Sequence, residues 1–442
     1  MFAGKAPMLD LKFVLAHAET VRANCRDRNV PEDVLDDLER VIDLEEKRKA
    51  LLQQVEAVRR RQNEVAQATG KEKDAEKRAA LVAQGKQLKN EVAESEETLK
   101  VLEIEVKSRL GRVPNLTHPD APVGQTEDAN KVIKTWGTPR VFDFTPKDHA
   151  EIGKDLDLID FEAGGKVTGS GFYFLKNDAV LLDLALQRYA LDRLIAHGFT
   201  PIATPDLARD AILEGIGFNP RGDETQVYSI DNSDLCLVGT AEITLGGMHA
   251  DEVLDEDQLP IRYVGISHCF RTEAGAAGRQ SKGLYRVHQF TKVEMFAFTA
   301  GSLETSGAMH QELLAIEEEI FQGLGVPYQV LDICSGDLGG PAYRKYDIEA
   351  WMPGRGDAGE YGEVTSTSDC TDYQARRLNI RYKPNGQKGT KFVHTLNGTA
   401  VAISRALIAV LENYQRADGL VDVPEVLRPH MGGKTVIGAK GA

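Results

Sequence analysis

The sequence lacks the signatures of several large protein classes. No apolar run reaches the ~18 residues that a membrane span needs, and residues 1–10 contain one lysine and no long apolar stretch, so no secretory signal is predicted. The five cysteines form no CxxC pair and the ten histidines no HExxH pattern. These absences exclude a zinc-finger spacing and favour free thiols in a reducing compartment, so we expect a cytoplasmic protein without a membrane partner.

Nucleotide-binding glycine motifs are also missing. Neither GxGxxG nor GxxxxGK[ST] occurs among the 442 residues, so the sequence gives no signal for a dinucleotide-binding fold or a P-loop.

Positive charge is scarce overall, but it is unevenly distributed. The chain has 53 Lys and Arg against 68 Asp and Glu, a net charge of −15, which by itself argues against a nucleic-acid binder. Residues 47–89, however, carry 12 basic and 5 acidic residues, a local charge of +7. The whole-chain charge therefore restricts where RNA could bind without excluding RNA as a partner.

A helical hairpin is predicted near the N-terminus. Residues 38–110 contain no proline, and two tracks, 41–65 and 81–106, place apolar residues at alternating spacings of three and four. A polar link at 68–74 separates them, which predicts an antiparallel coiled coil about 45 Å long. Such a rod could merely dimerise the protein or act as a spacer. Its basic distal part could instead bind phosphates, or it could be a solvated charged surface.

The rest of the chain predicts an α+β domain built on an antiparallel sheet. Strands are expected at 199–204, 261–270, 285–298, 328–334, 345–351, 362–368 and 391–396, with helices at 180–195 and 399–414.

Four residues of one predicted hairpin suggest a polyanion site. Arg271 and Glu273 end one strand, whereas Arg286 and Phe290 lie in the next. Guanidinium groups bind phosphate oxygens in a bidentate way, and an aromatic face can stack on a base. On residue types alone, this group is equally a nucleotide site or a salt-bridged hairpin.

Further polar segments leave similar alternatives open. Strand alternation would place Glu363 with Thr365 on one face, opposite Val364 and Ser366. A carboxylate there could hold Mg²⁺ beside phosphates, although spacing alone favours a solvated edge-strand glutamate. Residues 240–242 offer a hydroxyl and a carboxylate but equally suit a helix N-terminus.

Together these segments resemble the seryl-tRNA synthetases, a family of class II aminoacyl-tRNA synthetases. The resemblance covers nearly the whole chain and is strongest in three blocks: 198–205, 270–294 and 395–405. It implies a class II catalytic domain at 114–442 and an N-terminal tRNA-binding domain at 1–113, with a coiled-coil arm at about 38–110. It further implies ATP with Mg²⁺, L-serine and tRNA(Ser) as partners, serylation of tRNA(Sec) where that tRNA is present, a homodimer with Pro205 near its interface, and no DNA partner.

The resemblance also assigns roles to particular residues. The implied catalytic cations are Arg271, Arg286 and Arg405. Serine would be held by Thr240, Ala241, Glu242, Arg271, Glu294, Asn397 and Thr399. ATP would be held by Arg271, Thr272, Glu273, Val287, Phe290, Glu363, Val364, Thr365, Ser366 and Arg405. Glu363 and Ser366 would hold the metal. On the arm, the candidate tRNA contacts are Arg59, Arg60, Arg61, Lys71, Lys73, Lys77 and Arg78.

Three positions depart from the family pattern. Thr365 replaces the usual serine, Asp369 stands where asparagine is common, and Gly171 stands where arginine is common.

Two other functions compete with the synthetase hypothesis. A scaffold protein that has lost catalysis would be expected to lose the residues that bind the nucleotide, whereas Arg271 and Arg405 are present. A ligase acting on a carrier protein would lack the basic rod.

Overall fold

We describe the fold from a computed structural model that covers residues 10–218, 226–274 and 282–438. The chain divides into two compact units, with the boundary between Leu116 and Thr117. Within the described ranges, no helix has both the length and the apolarity needed to cross a membrane.

The first unit is a helical hairpin preceded by two short helices. Its helices are α1 (Leu11–Ala16), α2 (Ala18–Asp27), α3 (Glu32–Lys71) and α4 (Ala75–Arg112). At about 1.5 Å per residue, the 40 residues of α3 span about 60 Å, longer than the sequence predicted. The Asp74 carboxylate caps α4 by accepting bonds from two backbone N–H groups.

Apolar layers hold the hairpin together at the predicted spacing. Val41 and Leu44 on α3 cluster with Val106 on α4, and further along, Val58 clusters with Leu88 and Val92. The predicted antiparallel helical arm is thus confirmed.

The second unit contains all the strands found in the described ranges. They are β1 (Lys131–Trp136), β2 (Ile159–Asp160), β3 (Phe174–Leu175), β4 (Thr200–Ala203), β5 (Leu207–Arg209), β6 (Leu235–Leu237), β7 (Val253–Asp255), β8 (Ile261–Phe270), β9 (Gln289–Thr299), β10 (Tyr328–Asp332), β11 (Arg344–Met352), β12 (Glu360–Asp369), β13 (Arg381–Lys383), β14 (Lys391–Phe392), β15 (His394–Ala402), β16 (Val421–Asp422) and β17 (Val436–Ile437). Eight of them form one sheet in the order β1-β10-β11-β12-β15-β9-β8-β4. Every neighbouring pair is antiparallel except β4 and β8, which confirms the predicted α+β antiparallel architecture.

Helices cover both faces of this sheet. They are α5 (His149–Asp155), α6 (Phe161–Val167), α7 (Asp178–Ala196), α8 (Asp210–Ile216), α9 (Ala241–Gly247), α10 (Leu303–Leu324), α11 (Tyr373–Arg377) and α12 (Ile403–Asn413). Along β9, Met295 packs in one apolar core with residues of α7, α10 and α12, whereas Phe296 packs in a second core with residues of α8 and α9. Because successive strand residues point to opposite faces, the middle of the sheet is buried on both sides.

Two predicted elements are wrong at their boundaries. The helix predicted from Thr399 begins only at Ile403, because β15 stays paired with β9 as far as Ala402. Arg405 therefore lies in the first turn of α12 instead of about two turns inside a helix. The strand predicted from Tyr285 begins at Gln289.

Candidate active site

A cavity of about 520 Å³ lies over the centre of the sheet and brings together most of the predicted residues. The described lining residues that the sequence singled out are Arg271, Glu273, Arg286, Val287, Phe290, Glu363, Val364, Thr365, Ser366, Thr399 and Arg405. They come from β9, β12, β15, α12 and the segments flanking the β8–β9 connection, so the antiparallel sheet joins positions that are far apart in the chain.

One end of the cavity is cationic and aromatic. The Arg271 guanidinium lies over the Phe290 ring, 5.2 Å from its centre. Arg286 is 3.5 Å from the Glu273 carboxylate, and Arg405 is 3.0 Å from that of Glu363. Three guanidinium groups around one opening suit a polyphosphate, and Glu273 and Glu363 hold two of them in place.

A β-bulge sets the direction of the Glu363 side chain. Thr365 pairs with Ile348 on β11 and Glu363 pairs with Glu349, so Val364 is an extra residue in the ladder. The simple alternation predicted from sequence is therefore wrong, because a bulge returns Glu363 to the face that carries Ser366.

The face shared by Glu363 and Ser366 also carries Asp347, which hydrogen-bonds with Ser366. Burial raises the pKa of Glu363, but the charges of Arg405 and Lys345 outweigh burial and bring that pKa below its ordinary value. Burial raises the pKa of Asp347, and the positive charge of Lys345 offsets only part of this rise. Glu363 is thus an ionised carboxylate beside the Ser366 hydroxyl and the Asp347 carboxyl. Oxygen donors of this kind suit a hard cation.

The opposite end of the site holds a hydroxyl and two carboxylates. Glu294 on β9 faces Thr399 on β15, and the Thr399 hydroxyl donates to Glu294 at 3.1 Å. The Lys292 ammonium lies 2.5 Å from Glu294 and donates to the Thr399 hydroxyl at 3.3 Å. These three buried side chains form a closed triangle of charge-assisted hydrogen bonds.

A second carboxylate, Glu242, is anchored next to this triangle. One of its oxygens accepts from Gln374 at 2.8 Å and from Asn397 at 2.9 Å. Thr240 caps α9, so both the hydroxyl and the helix N-terminus that the sequence suggested are present, and Ala241 is buried. Burial and the charge of Glu294 raise the pKa of Glu242 to about 7.

Several residues of the site were not singled out from the sequence, among them Lys292, Gln374, Tyr285 and Asp347. Lys292 could have been found, because it lies two positions before Glu294 and so shares its strand face. The other three reach the site only through tertiary packing, and no local pattern marks them.

The structure shows the surroundings of all three residues that depart from the family pattern. Gly171 has φ +81°, and a Cβ there would overlap the His288 ring, which stacks on Phe172 and bonds the Arg271 carbonyl. A larger side chain at 171 would displace His288. Asp369 is buried away from the cavity, accepts from the Thr371 N–H, and has its pKa raised to about 6 by burial. Thr365 donates its hydroxyl to the Thr399 carbonyl.

The predicted tRNA contacts of the first unit lie towards the far end of the hairpin. All seven are exposed: Arg59, Arg60, Arg61, Lys71, Lys73, Lys77 and Arg78. Arg59 forms an ion pair with Glu96 of α4, across the hairpin.

Comparison with known proteins relates both units to aminoacyl-tRNA synthetases. Residues 8–117 match the seryl-tRNA synthetase N-terminal domain, and residues 226–414 match the tRNA synthetase class II core domain (G, H, P, S and T). The serine–tRNA ligase of Rubrobacter xylanophilus is 56% identical over 431 residues, which cover 98% of this chain and 99% of the relative. That of Rhodopirellula baltica is 56% identical, covering 96% and 98%. The crystal structure of seryl-tRNA synthetase from Pyrococcus horikoshii complexed with ATP superposes with a TM-score of 0.91 at 40% identity, covering 97% and 99%.

Proposed function

The chain belongs to the seryl-tRNA synthetases and is a serine–tRNA ligase, and from that premise we propose that it works through a seryl-adenylate. In the first step, an oxygen of the serine carboxylate attacks the α-phosphorus of ATP and pyrophosphate leaves. In the second, the terminal ribose hydroxyl of tRNA(Ser) takes the seryl group and AMP leaves. The proposal rests on one observation: Thr399 and Lys292, which both contact Glu294, line the same cavity as the three guanidinium groups.

The first step needs alignment and charge neutralisation more than proton transfer. The serine carboxylate is already ionised at neutral pH, so no side chain has to act as a general base. We assign Arg271 to the serine carboxylate and the α-phosphate, and Arg286 to the outer phosphates, where a guanidinium stabilises the developing negative charge.

We assign the remaining ATP contacts to residues that line or flank the cavity. Phe290 and Arg405 would enclose the adenine, and Glu273 with the backbone of Thr272 and Val287 would contact its edge. Glu363 and Ser366 would hold the Mg²⁺ that accompanies ATP, with Val364 and Thr365 shaping the strand between them. When bound, this ion neutralises phosphate charge.

Serine would bind at the triangle end of the cavity. We assign the Glu242 carboxylate and Thr240 to the ammonium group, with Asn397 orienting Glu242. Glu294 and Thr399 would bond the serine hydroxyl. Alanine cannot form these bonds, and a site built to bond a hydroxyl rejects a ligand that lacks one.

For the macromolecular partner, we propose that the basic end of the arm binds tRNA(Ser) through its phosphates, and tRNA(Sec) where an organism has one. Residues 1–113 would form this tRNA-binding domain and 114–442 the catalytic domain, in the cytoplasm, without a DNA or membrane partner. A homodimer is proposed because apolar side chains on one side of α7 are exposed: Val180, Leu181, Leu184 and Ile195, with Phe174 and Pro205 close in sequence.

Serine-dependent ATP–pyrophosphate exchange tests this function. The protein should exchange label into ATP with serine and much less with alanine, and Arg271→Ala should remove the activity. Arg209→Ala, a matched change of an exposed arginine on β5, should leave it intact. Charging of tRNA(Ser) without any exchange activity would refute the adenylate route.

A further inference from the structure

A buried pair of hydrogen-bonded side chains, His149 and Glu412, lies outside the ATP end of the cavity and has no role in the reaction described above. His149 begins α5 and Glu412 lies near the end of α12, and they are 5% and 1% exposed. One Glu412 oxygen accepts from the His149 backbone N–H at 3.0 Å and lies 2.8 Å from the imidazole Nδ1.

The second imidazole nitrogen fixes the tautomer of His149. Nε2 accepts from the backbone N–H of Leu284 at 3.1 Å, so it carries no proton. The proton must therefore sit on Nδ1, which donates to Glu412. The ring acts as a bridge with a defined donor end and a defined acceptor end.

The segment that returns from the β8–β9 connection is fastened to α5 at three consecutive residues. Lys282 forms an ion pair with Asp148, Gly283 lies against the imidazole, and Leu284 bonds it. Gly283 has φ +63°, and a Cβ there would overlap Nε2. Only glycine permits this approach.

Glu412 holds a second loop with its other oxygen. That oxygen accepts from the Gly354 N–H at 2.9 Å. Gly354 precedes Arg355, whose guanidinium lies 4.2 Å from the centre of the Tyr285 ring. Tyr285 follows Leu284 in the chain. The His149–Glu412 pair therefore anchors the backbone next to Tyr285 and next to Arg355.

Tyr285 connects the His149–Glu412 pair to the nucleotide end of the cavity. Its ring lines the cavity and lies 4.8 Å from the Arg405 guanidinium. Arg355 and Arg405 both contact this one ring, so displacement of Tyr285 would release the Arg405 guanidinium from its cation–π contact.

We infer that His149 and Glu412 are positioning residues for the ATP site. They hold Tyr285 in place, and the Tyr285 ring in turn orients Arg405. This inference rests on the proposed role of Arg405 at the adenine. It goes beyond that role by naming a support that touches neither substrate.

The test compares three variants by ATP–pyrophosphate exchange, with KM measured separately for ATP and serine. His149→Phe keeps a ring but removes both the acceptor of the Leu284 N–H and the Nδ1 donor to Glu412, so KM for ATP should rise about tenfold or more while KM for serine stays within about twofold. His149→Gln retains an acceptor for Leu284 and should recover much of that loss. Lys154→Ala, an exposed change on the same helix, should leave both KM values unchanged.

A merely structural role for His149 would give a different result. Loss of folded protein lowers kcat per mole of total protein and leaves both KM values unchanged, and that outcome overturns the inference. If His149→Phe does not fold, Gly283→Ala is decisive, because its Cβ pushes on the same ring. Gly283→Ala should raise KM for ATP and leave KM for serine unchanged. An unchanged KM for ATP would refute the positioning role.

Arg405→Ala separates this inference from the proposed function. If Arg405→Ala raises KM for ATP and the His149 and Gly283 variants do not, only the positioning role fails. If Arg405→Ala itself leaves KM for ATP unchanged, the adenine assignment fails and the inference fails with it.

Discussion

Serine binding should weaken as the pH falls through neutrality, because Glu242 must be ionised to hold the substrate ammonium. Burial and the neighbouring Glu294 raise the pKa of Glu242 to about 7, well above that of an ordinary glutamate. Below that pKa the carboxyl carries a proton and cannot pair with the ammonium, which stays charged throughout. Affinity is thus present above pH 7 and lost below it.

The size of the effect follows from the pKa. If only ionised Glu242 binds serine, the apparent KM is multiplied by one plus the ratio of protonated to ionised carboxyl. This factor is about 11 at pH 6 and about 1.1 at pH 8, so KM for serine should fall about tenfold between these values.

Exchange assays between pH 6 and 8.5, at saturating ATP and varied serine, measure this directly. KM for ATP, followed in parallel, reports general damage at low pH. Glu242→Gln is permanently neutral, so it should have a high KM for serine that no longer changes with pH. Glu214→Gln, on the exposed side of α8, should behave like the unaltered protein. A KM for serine that is flat from pH 6 to 8 would refute the assignment of Glu242.

Three further outcomes are expected. Val58 packs beside Val92 across the hairpin, so replacing residues 59–91 by a short glycine–serine turn removes the basic end and keeps the pairing below it; exchange should persist within about twofold, and tRNA charging should fall by about 100-fold or more. Thr399→Ala should reduce the discrimination of serine over alanine in exchange by about tenfold or more, because one partner of the serine hydroxyl is lost; unchanged discrimination would contradict its role. Phe321→Ala, in the core between α10 and the sheet, should lower the free energy of unfolding in urea by about 3–5 kcal/mol, whereas exposed Val253→Ala should change it by about 0.5 kcal/mol or less.

Regular periodicity made much of the fold predictable. The heptad tracks predict the α3–α4 hairpin, and the predicted strand at 261–270 coincides with β8. These elements follow from local sequence, because their apolar positions repeat at the period of a helix or a strand. The extension of β15 to Ala402 does not, because it depends on pairing with β9, more than a hundred residues earlier.

Most of the site could be listed from the sequence, but its geometry could not. The motif residues meet in one cavity, yet the bulge at Val364 and the bridge from His149 to Glu412 arise only when distant strands and helices pack. His149 and Glu412 are 263 positions apart and have no unusual neighbours in the chain. Interactions of this kind leave no pattern in a single sequence.

Burial also explains how an acidic chain can offer a pocket for ATP. The site is surrounded by carboxyl groups that would repel phosphate if all were ionised. One of them, Glu317 on α10, is fully buried beneath β15, where a Cβ on Gly398 would lie 2.9 Å from its Oε1. Burial holds the pKa of Glu317 well above its ordinary value and raises the pKa of Asp347.

At the nucleotide end, Glu363 keeps its charge because Arg405 and Lys345 stabilise it, and Glu273 is paired with Arg286. The acidic side chains at this end are either buried or paired with arginines, so their charge reaches the phosphates weakened, whereas the guanidinium groups of Arg271 and Arg286 line the cavity. The net charge of −15 is therefore no measure of the potential that ATP meets, because at this site the sheet hides or neutralises the acids and leaves the arginines facing the cavity.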